Sequence, residues 1–442
     1  MKRKSWKTAC LTALVMLSLT SGAMAADHVE DVEAVSQVYG DGEKLSHVIL
    51  TYDAPIAAAS VDASDYTVEG RTVKTAYVSK TTEPGTAADA GNYVVVALEP
   101  TPMTDQMPDP HPEEKGQHKK KNGGGPTLGS HGNPQPLPVI SAEVTQTGLV
   151  KTAEGMIYTP TETMDSTHTR QLVIEDFVQD TFKDSDGGTL SYNLYVPKNY
   201  DPSQSYPLVV FMHDAGAVSP EVKMTLTQGR GAIAWAEPSW QEDHPCFVLA
   251  PQYDAVVVND LYQYGPELDR TIHLIESLSS QYAIDTNRIY NTGQSMGGMM
   301  SIQMDVSYPH FFAGSYLVAS KWNEAITSPL GEQNIFAVAS EGDPGAAPSL
   351  SLIMKQIEAT GTPVNRTSID TTLPQTEINA AAESILAPNV HEYLVMYKGG
   401  SHRSTWQHAY DMTPAMEWVF AQTTDHGYHA DENEGRSNNV SD

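Results

Sequence analysis

Short stretches near the start of the chain alternate apolar and polar residues. Val32 to Val38 and His47 to Tyr52 do so, and Tyr66 to Val68, Val73 to Val78 and Tyr93 to Leu98 are short runs rich in β-branched and aromatic residues. Alternation with a period of two places one face of a strand in a core and the other in water. Gly40-Asp41-Gly42 and Pro84-Gly85 supply turns between the runs. Short strands at this spacing predict an all-β sandwich, Ig-like in outline, over 27–160. The Cys…Trp…Cys pattern of antibody domains is lacking.

From about Arg170 the pattern changes. Pro207 to Met212 and Cys246 to Ala250 are continuously apolar, as central strands covered on both faces must be. Leu190 to Val196 alternates. Asn259 to Gln281 carries Leu261, Leu268, Ile272, Ile275 and Leu278 at helical spacing. Further strands are predicted at Arg288 to Asn291, Ala313 to Ala319, Ile335 to Ala339 and Tyr393 to Tyr397. Helices are predicted at Met296 to Ser307, Ser349 to Ala359 and Thr405 to Ala421. Strands alternating with helices imply a doubly wound, mostly parallel α/β sheet over 165–422.

Three segments fit neither pattern. Residues 1–25 open with Lys2, Arg3, Lys4 and Lys7, continue in an apolar run and end in Ala23-Met24-Ala25. This reads as a secretory signal peptide and predicts an extracellular or periplasmic protein. About 101–138 hold Pro102, Pro108, Pro110, Pro112, Lys119-Lys120-Lys121 and Gly123-Gly124-Gly125. Such a composition buries no core, so a mobile, disordered excursion from the first domain is predicted. His111, His118 and His131 within it match no defined metal site. Residues 423–442 read as a disordered acidic tail.

Removing residues 1–25 takes away four of the 26 Lys and Arg and none of the 55 Asp and Glu, so the formal charge falls from −29 to −33. A phosphate backbone is repelled by such a chain, so no nucleic-acid partner is expected. No later stretch is apolar enough to span a membrane. Cleavage leaves one cysteine, Cys246, inside a strand-like apolar run, so no intramolecular disulfide is expected and the thiol reads as core.

The candidate chemistry centres on Gly293-Gln294-Ser295-Met296-Gly297. A strand precedes this G-x-S-x-G pentad and a helix follows it. The sharp turn between them forces Ser295 into a strained conformation and raises its hydroxyl above the sheet. A serine nucleophile needs a base, and the base a carboxylate to fix its tautomer. On such a sheet both lie at carboxyl ends of strands, the acid before the histidine. Ser340-Glu341-Gly342-Asp343-Pro344-Gly345 ends one strand, which makes Asp343 the acid, with Glu341 as the alternative. Lys398-Gly399-Gly400-Ser401-His402 ends the last, which makes His402 the base; His391 and His408 are worse placed. An oxyanion needs two backbone donors. One is the N–H of Met296. The other belongs to Asp214 or Ala215 in the loop His213-Asp214-Ala215-Gly216, where His213 is expected to structure the loop. Trp322 and Trp406 flank these loops and either line an acyl pocket or pack in the core. The chemistry requires no metal or organic cofactor.

Pro207 to Gly216, His244 to Tyr253, Arg288 to Gly298 and His402 to Tyr410 together resemble the secreted α/β-hydrolase esterases related to polyhydroxybutyrate depolymerases and feruloyl esterases, some members of which are described as peptidases. The resemblance covers about 170–422, and members with an N-terminal Ig-like esterase domain are most similar. It implies a serine hydrolase with Ser295 as nucleophile, Asp343 as acid and His402 as base, acting on small or polymer-borne esters. The alternatives are an extracellular peptidase or a catalytically weak binding protein, with the Ig-like domain shaping the site entrance or supporting a homo-oligomer. Two positions depart from the family pattern. Asp214 replaces the first Gly of the His-Gly-x-Gly loop, and Glu341-Gly342-Asp343 replaces His-Gly-x-x-Asp. A carboxylate at position 214 would repel a developing oxyanion unless turned away or paired.

Overall fold

The computed structural model describes residues 28–103, 126–132 and 136–424. The predicted signal peptide, most of the 101–138 excursion and residues 425–442 of the tail lie outside the described residues.

The first domain is built from β1 (Val29–Tyr39), β2 (Gly42–Ala57), β3 (Tyr66–Val68), β4 (Val73–Ser79), β5 (Ala90–Leu98), β6 (Glu143–Gln146), β7 (Val150–Lys151), β8 (Ile157–Tyr158), β9 (Met164–Asp165) and β10 (His168–Gln171). A five-stranded sheet in the order β10-β1-β2-β5-β4 faces a three-stranded sheet in the order β3-β6-β9. Val32, Ala34, Val48, Leu50, Val94 and Val96 point inward from the larger sheet and meet Tyr66, Val68 and Val144 from the smaller. This is the sandwich that the alternation predicts. β10, beyond the predicted end of the sandwich, pairs in parallel with β1 and places Arg170 opposite Val35. Arg170 also forms an ion pair with the buried Glu33.

The second domain contains β11 (Phe177–Lys183), β12 (Thr189–Tyr195), β13 (Tyr206–Met212), β14 (Phe247–Gln252), β15 (Ile284–Gln294), β16 (Gly314–Val318), β17 (Ile335–Ser340), β18 (Val364–Ile369) and β19 (Glu392–Tyr397). Its helices are α1 (Met224–Thr227), α2 (Arg230–Ala236), α3 (Pro238–Asp243), α4 (Glu267–Gln281), α5 (Met296–Ser307), α6 (Ala346–Ala359), α7 (Gln375–Glu383), α8 (His402–Ala409) and α9 (Thr413–Phe420). The strands form one sheet in the order β11-β12-β14-β13-β15-β16-β17-β19-β18, parallel from β14 onward. Every residue of β13 and β14 is buried, as their unbroken apolar runs require. The described helices include none long and apolar enough to cross a membrane. Cys246 is buried just before β14, and burial pushes its thiol up to about 12.

Three expectations are corrected. The helix predicted from Asn259 begins only at Glu267, after Gly265-Pro266, and Leu261 is exposed in the preceding loop. The final helix is two, broken at 410–412, because Pro414 at the start of α9 cannot donate to a preceding turn. Residues 126–132 do not stand free. Gly129 N–H donates to the Val256 carbonyl and Val256 N–H to the Ser130 carbonyl, each at 2.9 Å. This stretch of the first domain is thus seated on the loop that follows β14.

The two domains also meet at the β1–β2 turn. A Cβ on Gly40 would lie 2.3 Å from the Gln407 carbonyl oxygen of α8, so only glycine permits this approach.

Candidate active site

Ser295 directly follows β15 and adopts φ 53°, ψ −114°, a region that non-glycine residues enter only when their surroundings hold them there. Its N–H donates to the Val318 carbonyl of the neighbouring strand end at 3.0 Å. Close backbone approach explains the flanking glycines. A Cβ on Gly293 would lie 2.4 Å from the Gly297 carbonyl carbon, and one on Gly297 would lie 1.9 Å from the Met212 carbonyl oxygen. The pentad therefore presses the start of α5 against the end of β13. Met296 is the first residue of α5, where helix N–H groups lack intrahelical partners and favour negative charge.

His402 is the first residue of α8, after Ser401, whose hydroxyl caps the helix by accepting the Ser404 N–H at 3.1 Å. Its Nε2 lies 2.8 Å from Ser295 Oγ and its Nδ1 lies 2.5 Å from Asp343 Oδ2. The Trp406 ring, one turn on, meets the imidazole edge to face with centroids 5.0 Å apart. Asp343 is buried, and its other oxygen accepts the N–H groups of Gly345 at 2.8 Å and Ala346 at 3.0 Å. Burial alone would raise this carboxyl. The hydrogen bonds from His402, Ala346 and Gly345 outweigh it and hold Asp343 below the usual carboxylate range. The structure thus brings Ser295, His402 and Asp343 into one hydrogen-bonded chain.

Glu341 is not part of that chain. It is exposed and accepts the Gly399 N–H at 3.2 Å. Gly342 between the two acids has its own reason: a Cβ there would lie 2.0 Å from the Gly400 carbonyl oxygen, and its N–H donates to Gly399 at 2.9 Å. The loop bearing Asp343 is zipped to the loop bearing His402 through this glycine. His391 bonds to Asn334 before β19, and His408 lies at the far end of α8.

The loop after β13 resolves the difficulty posed by Asp214. One carboxylate oxygen accepts the Gly216 N–H at 2.7 Å, and the other accepts the Gln294 side-chain amide at 3.0 Å. The carboxylate is paired, and it caps the 215–217 turn. His213 is fully buried. Its Nδ1–H donates to the Asp214 carbonyl at 2.8 Å and its Nε2 accepts the Tyr253 N–H at 2.9 Å. Burial lowers its pKa, so it stays neutral and structures the loop. The Gln252 amide donates to the Ala217 and Ser219 carbonyls at 2.8 and 3.1 Å. Gln294 and Gln252 were missed in the sequence reading. Each is buried at the end of a strand, where a side-chain amide needs a partner. Trp322 is core: it is fully buried, and its indole N–H donates to Gln303 at 2.8 Å.

A cavity of about 640 Å³ lies elsewhere, between the two domains, lined among others by His47, Arg170, Asp176, Lys198 and Glu237. None of the Ser295 chain borders it.

Comparison with known proteins supports the architecture. Residues 31–159 match the family described as the esterase Ig-like N-terminal domain. A solved thermostable esterase aligns over 89% of this chain and 100% of its own, with a TM-score of 0.71 and 24% identity. That likeness establishes an α/β-hydrolase fold behind an Ig-like domain. A feruloyl esterase module from Clostridium thermocellum aligns over 57% of this chain and 90% of its own, with 17% identity and a TM-score of 0.38. Feruloyl esterase D of Neurospora crassa is 24% identical over 123 residues, which is 27% of this chain and 42% of that protein. The match thus spans about two fifths of this curated relative.

Proposed function

We propose that the protein is a secreted serine esterase that hydrolyses carboxylic esters through an acyl-enzyme on Ser295. The observation that carries this reading is the chain Asp343–His402–Ser295, with both links at hydrogen-bond length. His402 takes the Ser295 proton as Oγ forms a bond to the ester carbonyl carbon. Asp343 fixes the imidazole and stabilises the imidazolium. The N–H of Met296 and one from the 214–215 loop hold the oxyanion. His402 then protonates the departing alcohol as the ester C–O bond breaks. Water, deprotonated by the same histidine, attacks the acyl-enzyme and releases the acid. Residues 1–25 direct export. Asp214 is paired with Gly216 and Gln294, which supports the catalytic reading over a non-catalytic binding role.

Labelling with a fluorophosphonate, followed by peptide mapping, tests the proposal together with hydrolysis of p-nitrophenyl butyrate. Modification at Ser295 with loss of hydrolysis is expected. Folded protein that neither labels nor hydrolyses would refute it.

A further inference from the structure

Arg403 is a cation in a place that folding does not explain. It stands in the first turn of α8, directly after His402, where the positive end of the helix disfavours a positive charge. In a chain with 55 Asp and Glu against 26 Lys and Arg, carboxylates are plentiful. Arg170, Arg230, Arg270, Arg288 and Arg366 each pair with one. Arg71 donates instead to the Leu45 and Glu99 carbonyls, at 2.6 and 3.0 Å. Arg403 has neither kind of partner among the described residues, and its Nε is buried with no acceptor. The side chain reaches no acceptor within the fold, and its half-buried head keeps N–H groups for one outside it.

What holds this guanidinium is a ring. Its carbon lies 5.8 Å from the centroid of Trp406, and the same indole meets the His402 imidazole edge to face at 5.0 Å. Trp406 is buried, so it is a fixed platform touching both the cation and the base. A guanidinium laid over an aromatic face keeps its N–H edge open, and that edge matches a carboxylate with two parallel hydrogen bonds. In the esterase reading His402 hands its proton to the departing alcohol, so groups that flank the imidazole border the path of that alcohol.

We propose that Arg403 is a specificity residue for esters whose alcohol part carries a carboxylate. The proposal rests on the esterase reading. Such a substrate brings the partner that the fold withholds, and places it beside the bond that His402 helps to break.

Two esters with the same acyl group test this: butyryloxyacetate, whose alcohol part is an anion, and butyryloxyacetamide, its neutral isostere. For Arg403→Gln and Arg403→Ala, the kcat/KM of the anion relative to the amide should fall roughly 5- to 10-fold, mainly through KM. Arg403→Lys, which keeps the charge, should recover part of the ratio. For the wild type alone, raising salt from 0.05 to 1 M, as chosen test conditions, should lower the same ratio and leave the amide unaffected. The salt series needs no variant and keeps the test open if the substitutions fold poorly. Ratios unchanged by substitution or by salt overturn the assignment, because damage to α8 alone would slow both esters equally. Wild type that hydrolyses p-nitrophenyl butyrate but not butyryloxyacetate overturns it too. Wild type inert to all three esters refutes the esterase reading itself.

Discussion

Helix α5 has a buried carboxylate problem at each end, and the two ends solve it differently. At its N-terminus the strand-end loops supply donors. Asp343 receives His402 and two N–H groups, and Asp214 receives Gly216 and Gln294. At its C-terminus Asp305 is fully buried and accepts the Asn291 amide at 2.7 Å. Glu392, also fully buried, has no hydrogen-bond partner on either oxygen among the described residues. Asn291, Ser315, Ile335 and Glu392 stand side by side across β15, β16, β17 and β19. Burial pushes the Asp305 carboxyl up to about 7, against weaker support from Ser315 and Asn291. Burial, reinforced by the Asp305 charge, pushes Glu392 far above its ordinary value. Burial is thus common to both ends. The supply of N–H donors decides whether a carboxyl there is an ion ready for chemistry or a neutral acid.

The sharpest attack on this contrast is at the donor-rich end. Ser295→Ala or His402→Ala should lower kcat on p-nitrophenyl butyrate by roughly 10⁴-fold or more. Asp343→Asn keeps the shape but presents the wrong imidazole partner, and should cost about 10³- to 10⁴-fold. Glu341→Gln, outside the chain, should stay within about twofold, and a larger loss there than at Asp343 would reassign the acid. Asp214→Ala removes the cap of the 215–217 turn and the partner of Gln294. It should lower kcat about 10-fold or more by loosening the oxyanion donor, with a loss of about 1 kcal/mol in urea unfolding. An Asp214→Ala enzyme faster than wild type would mean that the carboxylate opposes the oxyanion after all.

Much of the donor-rich end was legible in the sequence, because it is written in local signals. A pentad between strand and helix, and an acid and a histidine at strand ends, are short-range patterns with a fixed order. The sequence favours Asp343 as the acid but leaves Glu341 open. What separates them is Gly342 lying against Gly400, a contact between loops 58 positions apart in the chain. The pairing of Asp214 was hidden for the same reason, since Gln294 reaches it from the neighbouring strand β15, 80 positions on. β18 and α7 escaped because an edge strand carrying Asn365, Arg366 and Thr367 shows no apolar run. The Asp305 and Glu392 pair was invisible: one ends a helix and the other begins a strand, and only sheet register brings them to one face. Composition also misjudged residues 126–132, whose order comes from backbone hydrogen bonds to Val256 that no side-chain pattern announces.

The donor-poor end yields the smallest effect and the most specific one. A carboxyl whose folded pKa is raised holds its proton while the unfolded chain releases it, so stability falls as pH rises between the two values. For Asp305 that window runs from its ordinary 3.8 to about 7. For Glu392 it begins at 4.5 and runs upward. Below both windows the carboxyls are neutral in either state and contribute no slope. Asn and Gln reproduce the neutral forms without titrating. Asp305→Asn should therefore match wild type in Tm near pH 4, gain on it as pH rises, and stop gaining above about pH 7. Glu392→Gln should likewise gain on wild type as pH rises above about 4.5, by about 2–4 °C for each kcal/mol recovered. Thermal melts of the three proteins at pH 4, 5, 7 and 9 read this directly. If Glu392→Gln shows no pH-dependent gain, Glu392 is ionised in the fold. The two ends of α5 would then differ in packing alone and not in the charge their carboxyls carry.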